Sequence, residues 1–218
     1  MKLTNLLISM FFLSTMLFSS CAEEDDVEED VCSTFEWEYD AGNTPDIWGS
    51  FCTSCDGTVQ SPIDITGAVV DASLNVLETN YEAVTIKVER LKHTMEFEYE
   101  EETTEVNELT LNGLDYKLLQ FHFHTSSEHT VNGEQYPMEV HLVHKNASTG
   151  NYAVIGILFE EGDENTVLAN FTDDLPTVVG EVFTSENMLN AADLLPADEA
   201  YFTYGGSFDS SSSSSNNK

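Results

Sequence analysis

The chain has 218 residues, 41% of them hydrophobic and 11% aromatic, which is enough apolar side chain to build a core and to exclude wholesale disorder. Seven Lys and Arg stand against 40 Asp and Glu, a formal charge of −33. Such a polyanion is repelled by nucleic acid and by anionic headgroups, which excludes a DNA or RNA reader and an electrostatic membrane binder.

Residues 1–21 read MKLTNLLISMFFLSTMLFSSC. Lys2 supplies a positive start, and Leu6 to Phe18 form an apolar stretch shorter than a membrane span. Ser19 and Ser20 then precede Cys21, a junction that resembles a bacterial lipoprotein signal with Cys21 as the lipidated residue. The alternative is an ordinary secretory leader cleaved near Ala22. Both place the mature protein outside the cytoplasm, either membrane-anchored as a lipoprotein or periplasmic or secreted, with a lipid as its sole link to a membrane.

Residues 22–31 are dominated by Glu and Asp, whose mutual repulsion makes them a solvated tether. A domain is expected over 32–208, and residues 209–218, a run of serines with two asparagines, form a low-complexity tail. With Cys21 lipidated, Cys32, Cys52 and Cys55 remain, and an odd number leaves one outside any intramolecular disulfide. Cys52-Thr-Ser-Cys55 lacks the second pair of a zinc ribbon and the βαβ setting of a redox motif.

Within the domain, Val84–Val88 and Met95–Tyr99 alternate apolar and polar residues with the period of a strand. Asn112-Gly113 and Asn132-Gly133 predict tight hairpins. Tyr152–Phe159 is a continuous apolar run that reads as a buried strand, and one short helix is expected around Thr166–Leu175. The fold class is therefore mainly β.

The chemistry concentrates in Gln120-Phe121-His122-Phe123-His124 and Glu139-Val140-His141-Leu142-Val143-His144, a region that holds five of the six histidines. On a strand, residues i and i+2 share a face, so His122 and His124 converge while Phe121 and Phe123 turn to the other side. A second strand places Glu139 and His141 alike. If the two strands are neighbours, three imidazoles meet and leave a fourth position open, a pattern of catalytic zinc sites. His-x-His also arises in ordinary cores, but Glu139 adds an acceptor of the kind that orients a ligating imidazole.

The segment QFHFHTSSEHTVNGEQYPMEVHLVHKN resembles the zinc-binding core of the α-class carbonic anhydrases. Gln60-Ser61-Pro62-Ile63-Asp64-Ile65, Trp37-Glu38-Tyr39 and Leu194-Leu195-Pro196 followed by Tyr201–Ser207 resemble further motifs of that family, in order. The resemblance implies a twisted, mostly antiparallel central sheet with a few short helices. It implies Zn²⁺ on His122, His124 and His141, with Gln120 and Glu139 orienting them, and reversible hydration of CO₂ to bicarbonate and a proton. Glu128 matches the glutamate that accepts a hydrogen bond from a gatekeeper threonine, His93 the proton-shuttle position, Val143 and Val154 the apolar wall for CO₂, and Tyr39 a tyrosine that orders water; His129 and His144 read as structural.

The chain departs from the family after Ser207. Asp209 stands where the threonine is expected, and an ionised Asp accepts hydrogen bonds but cannot donate one to Glu128. The C-terminal strands of the family are expected to be lacking, together with the cysteine that would pair with Cys55. Impaired turnover is therefore expected, and a non-catalytic, exported binding protein of the same descent is the alternative. For the anchor, Cys21→Ala should move the protein from the membrane fraction to the soluble fraction; a wild type already soluble would replace lipidation with plain secretion.

Overall fold

A computed structural model describes residues 45–52, 55, 57–99, 106–197 and 200–206. Cys21, Tyr39 and Asp209 lie outside them. The chain divides into two units, residues 1–54 and 55–218. In the first, a helical turn at Pro45–Trp48 closes with Cys52 N–H donating to the Trp48 carbonyl. Cys52 takes part in a disulfide, whereas Cys55, in the second unit, keeps its thiol.

The second unit is built on strands β1 Asp64–Ile65, β2 Glu78–Asn80, β3 Val84–Arg90, β4 Met95–Glu98, β5 Glu108–Leu111, β6 Leu114–His124, β7 Thr130–Val131, β8 Glu134–Gln135, β9 Met138–Lys145, β10 Tyr152–Phe159 and β11 Val182–Leu189. The main sheet runs β10-β9-β6-β4-β3-β11, with β5 beside the first half of β6 and β2 beyond it, and every pairing in it is antiparallel. A small sheet joins β1, β7 and β8. This is the mainly β architecture expected from the alternating sequence, and its main sheet is antiparallel as the resemblance implies. No helix among the described residues is long and apolar enough to cross a membrane.

Local chemistry explains the connections. Asn112-Gly113 joins β5 to β6, and Asn132-Gly133 joins β7 to β8; all four residues have positive φ, which Asn and Gly adopt at little cost. The expected helix is one turn at Thr166–Ala169, started by Asn165 accepting from the Val167 and Leu168 amides, and is followed by a 3₁₀ turn at Thr172–Asp174. The apolar run of β10 forms a strand as expected, but among the described residues it lies at the sheet edge and Val154 is 44% exposed. A continuous apolar run reports that both faces suit burial; it does not report whether both edges are paired.

One face of the sheet carries the core. Phe97 stacks on Phe121 with ring centroids 4.6 Å apart, and Phe123 and Phe171 meet Phe97 edge-on. Ile86, Val88, Leu118, Val140, Leu142 and Leu189 fill the rest. A bulge in β6 pairs Leu118 with His144 and Gln120 with the next residue, Val143. The bulge shifts the alternation by one residue, so Leu118 enters the core while Gln120 joins His122 on the other face.

His144 lies on the core side, fully buried. Its Nδ1–H donates to the Ala153 carbonyl at 3.2 Å, which leaves Nε2 to accept from the Tyr81 hydroxyl at 2.7 Å. Burial lowers its pKa from an ordinary 6.5 to about 4. The unfolded chain therefore binds this proton first as pH falls, so the stabilisation is complete above about 6.5 and is lost progressively toward about 4, on the order of 3 kcal/mol. Urea unfolding of the chelator-treated protein should show a midpoint that drops between pH 7 and pH 4.5, and His144→Leu should flatten that drop; equal slopes in both would remove His144 as its source.

Candidate metal centre

The other face of the sheet carries the polar residues, and strand register assembles them. His122 on β6 lies opposite His141 on β9, and His124 lies opposite Glu139. Directly opposed residues share a face, so all four point to one side. The imidazole centroids are 4.9 Å (His122–His124), 5.4 Å (His122–His141) and 4.7 Å (His124–His141) apart. One nitrogen from each ring falls within 4.8 Å of the others, close enough for one ion to hold all three.

Hydrogen bonds decide which nitrogens are presented. His122 Nδ1–H donates to Gln120 Oε1 at 2.8 Å, which directs its Nε2 lone pair into the cluster. His141 Nε2–H donates to Glu139 Oε1 at 2.9 Å, which leaves Nδ1 as the lone-pair nitrogen. His124 Nε2 is buried and makes no hydrogen bond. A buried ring nitrogen that makes no hydrogen bond, here with the Glu128 carboxylate 3.2 Å away, suits a metal ligand. Burial, reinforced by the neighbouring His141 and His124, lowers the His122 pKa to about 3, and burial also lowers that of His124. Neutral imidazole is the form that binds a metal.

Glu139 organises the support. It is 1% exposed, and burial alone would raise its pKa, yet hydrogen bonds from His129 and His141 hold the carboxylate well below the usual range. Oε2 accepts from the amides of Glu128 and His129, both at 2.9 Å; Oε1 accepts from His129 Nδ1–H at 2.6 Å and from His141. His129 Nε2 then accepts from the Tyr204 hydroxyl at 2.5 Å, and the Tyr204 oxygen lies 2.7 Å from Ser61 Oγ. His129, Glu139 and His141 also have ligand atoms within reach of one another. Their contacts of 2.6–2.9 Å match donor to acceptor, so they are hydrogen bonds and not a second metal site.

Gly156 on β10 lies opposite His141 and makes room for this arrangement. A Cβ there would stand 2.9 Å from Glu139 Oε1, whose position four hydrogen bonds fix. Gly156 and Tyr204 are not among the site residues that the sequence points to, whereas His129, expected to be structural, supports the Glu139 carboxylate. The spacing of His129 from Glu139 shows no period, because the loop between β6 and β7 brings them together. Glu96 is likewise absent from the residues that the sequence points to. It lies opposite His122, and burial, then Glu98 and Glu89, push its pKa up to about 7.

The remaining expected site residues are placed as follows. Val143 shares the histidine face and is buried, and Val154 lies opposite it. Glu128 reaches the cluster with its carboxylate. His93 is exposed in the turn between β3 and β4 and is not one of the clustered imidazoles.

Comparison with known proteins decides the family. The model of the eukaryotic-type carbonic anhydrases matches residues 43–214. This chain belongs to the carbonic anhydrase family. A carbonic anhydrase of Klebsiella pneumoniae is 36% identical over 175 residues, spanning 78% of this chain and 70% of that protein. The Photobacterium profundum α-carbonic anhydrase superposes with a TM-score of 0.70 at 35% identity, covering 79% of this chain and 77% of that one. The enzyme of Thermovibrio ammonificans, solved with the inhibitor sulfanilamide, gives 0.72 at 32% identity, covering 79% and 76%. The mostly antiparallel sheet with few helices is thus the fold of this family.

Gly156→Ala should displace the Glu139 carboxylate and tilt His141. Urea unfolding should show a loss of about 1–3 kcal/mol. Competition against a chromophoric chelator should show zinc affinity lowered about 10- to 100-fold, the range for disturbing an outer partner. Unchanged affinity would mean that Glu139 does not position His141.

Proposed function

We propose that the chain is a zinc-dependent carbonic anhydrase that interconverts CO₂ with bicarbonate and a proton. The observation that carries this reading is the buried, hydrogen-bond-free Nε2 of His124 set among two further imidazoles whose other nitrogens are already engaged. The donor set of three neutral imidazoles fits Zn²⁺. When bound, zinc supplies hydroxide at neutral pH and charge stabilisation for the developing bicarbonate.

The protein's own residues perform the rest. His122, His124 and His141 hold the ion. Gln120 fixes the ring of His122, and Glu139 fixes that of His141, so neither ligand must reorient during turnover. Val143 and Val154, on the same face, offer an apolar surface against which uncharged CO₂ can rest. His93, exposed in the turn between β3 and β4, is the proton carrier toward solvent. We assign the protein to the outside of the cytoplasm, tethered through Cys21 or secreted.

Turnover is expected to be lower than that of the relatives. By resemblance Asp209 occupies the threonine position, and a carboxylate there cannot donate a hydrogen bond to Glu128. A second reading, a family member that binds metal without efficient turnover, is favoured by the approach of Glu128 to two of the ligand nitrogens.

Metal analysis of the purified protein should give stoichiometric zinc, and His124→Ala should lose it. Stopped-flow CO₂ hydration should show activity that follows zinc content and disappears in His124→Ala. Equal zinc in both proteins would defeat the ligand assignment. Zinc without measurable hydration would select the second reading.

A further inference from the structure

We propose that the groove between residues 63–74 and residues 201–204 is a binding site for a small organic cation, an ammonium ion carrying an apolar body. The groove has a volume of about 540 Å³, within the usual range of small-molecule sites. One wall is the chain that runs from Ile63 through β1 to Leu74; the other is the segment Tyr201–Tyr204. Hydrogen bonds clamp the walls together. The Tyr201 hydroxyl donates to the Asn75 carbonyl at 2.6 Å, and the Tyr204 oxygen lies 2.7 Å from Ser61 Oγ. Ser61 and Asn75 flank the first wall, so the walls are fixed at both ends and the groove is formed before a ligand arrives. That suits a compact molecule better than a peptide running through.

The lining decides what the groove takes. Val69, Val70, Leu74 and Phe202 are 88%, 95%, 42% and 58% exposed, and none of them belongs to the buried core. A single exposed apolar side chain is ordinary, but several around one concavity mark a binding surface. The charged lining residues are Asp64 and Asp71, and no Lys, Arg or His lines the groove among the described residues. An anion would be repelled by both carboxylates, and a neutral molecule would draw nothing from them. A cation is their complement.

Each carboxylate is positioned through one oxygen. Asp64 Oδ1 accepts from Thr130 Oγ1 and from the Gly133 amide, both at 2.8 Å. Asp71 Oδ1 accepts from the Ser73 amide at 2.8 Å and from Ser73 Oγ at 2.6 Å, which holds its pKa below the ordinary carboxylate value. Among the described residues no donor bonds to either Oδ2, so the fold orients both carboxylates and leaves each an oxygen for a ligand. Tyr201, Phe202 and Tyr204 add aromatic rings on the facing wall, and aromatic faces attract ammonium ions. The clustered imidazoles take no part, since none of them lines the groove.

Benzyltrimethylammonium is the probe, because it joins a fixed positive charge to an aromatic body and has no lone pair with which to ligate a metal. Isothermal titration of the full chain at low salt should show saturable binding at a single site. Benzyl alcohol, which lacks the charge, should bind at least about tenfold more weakly. Asp64→Asn/Asp71→Asn keeps both Oδ1 acceptors and should weaken probe binding about tenfold. Glu160→Gln/Glu161→Gln removes the same charge from exposed positions outside the groove and should leave the affinity unchanged. Phe202→Ala trims an exposed side chain outside the core, so it tests the groove without unfolding the chain, and should cost about two- to fivefold. Equal weakening in the two double variants would reduce the effect to diffuse attraction by the acidic surface and overturn the site. Binding that does not saturate, equal affinity for benzyl alcohol, or an unchanged affinity in Phe202→Ala would overturn it as well. No arm depends on zinc, so a chain that failed to bind metal would leave this inference standing.

Discussion

The buried carboxylate of Glu139 is the constraint on which the rest of the site depends. An ionised group removed from water must have its lone pairs filled or it protonates. Here two amides and two imidazoles fill them. Filling them fixes the tautomer of His141, pins the loop that carries Glu128 and His129, and extends through Tyr204 to Ser61. The same need explains why a glycine sits at position 156, where any side chain would compete with the carboxylate for space.

The sheet supplies the precision. Antiparallel register between β6 and β9 sets His122 against His141 and His124 against Glu139, and the bulge before Gln120 decides which residues accompany them. Because the period is two, a slip of one residue would exchange the imidazoles for Phe121, Phe123, Val140 and Leu142. Burying those side chains, with the stacked Phe97–Phe121 pair at their centre, is therefore what locks the site in register. Stability and chemistry are two faces of one strand pairing.

Charge shapes the surroundings. The row across the sheet runs Glu89, Glu96, His122, His141, and Glu98 lies opposite Gln120. Burial, and then the neighbouring Glu98 and Glu89, raises the pKa of Glu96. A dication on the histidines would relieve part of that repulsion, so the acidic row and the three imidazoles are complementary parts of one electrostatic arrangement. The chain's large negative charge outside this row bears on solubility and on partners it repels, and leaves the fold to the core.

Much of this was legible in the residues. Alternation gave the strands, Asn-Gly pairs gave two hairpins, and i, i+2 spacing placed His122 with His124 and Glu139 with His141, because these signals act over a few residues of backbone. The family followed from ordered motifs over most of the chain. What the sequence could not yield was whatever depends on strand order and loop path. The pairing of β6 with β9, the bulge at Leu118/Gln120, the recruitment of His129 and Tyr204, the space at Gly156, the edge position of β10 among the described residues and the reach of Glu128 into the cluster all join residues without a common period. Local periodicity sets which way a side chain points; only the packed tertiary structure sets what it meets there.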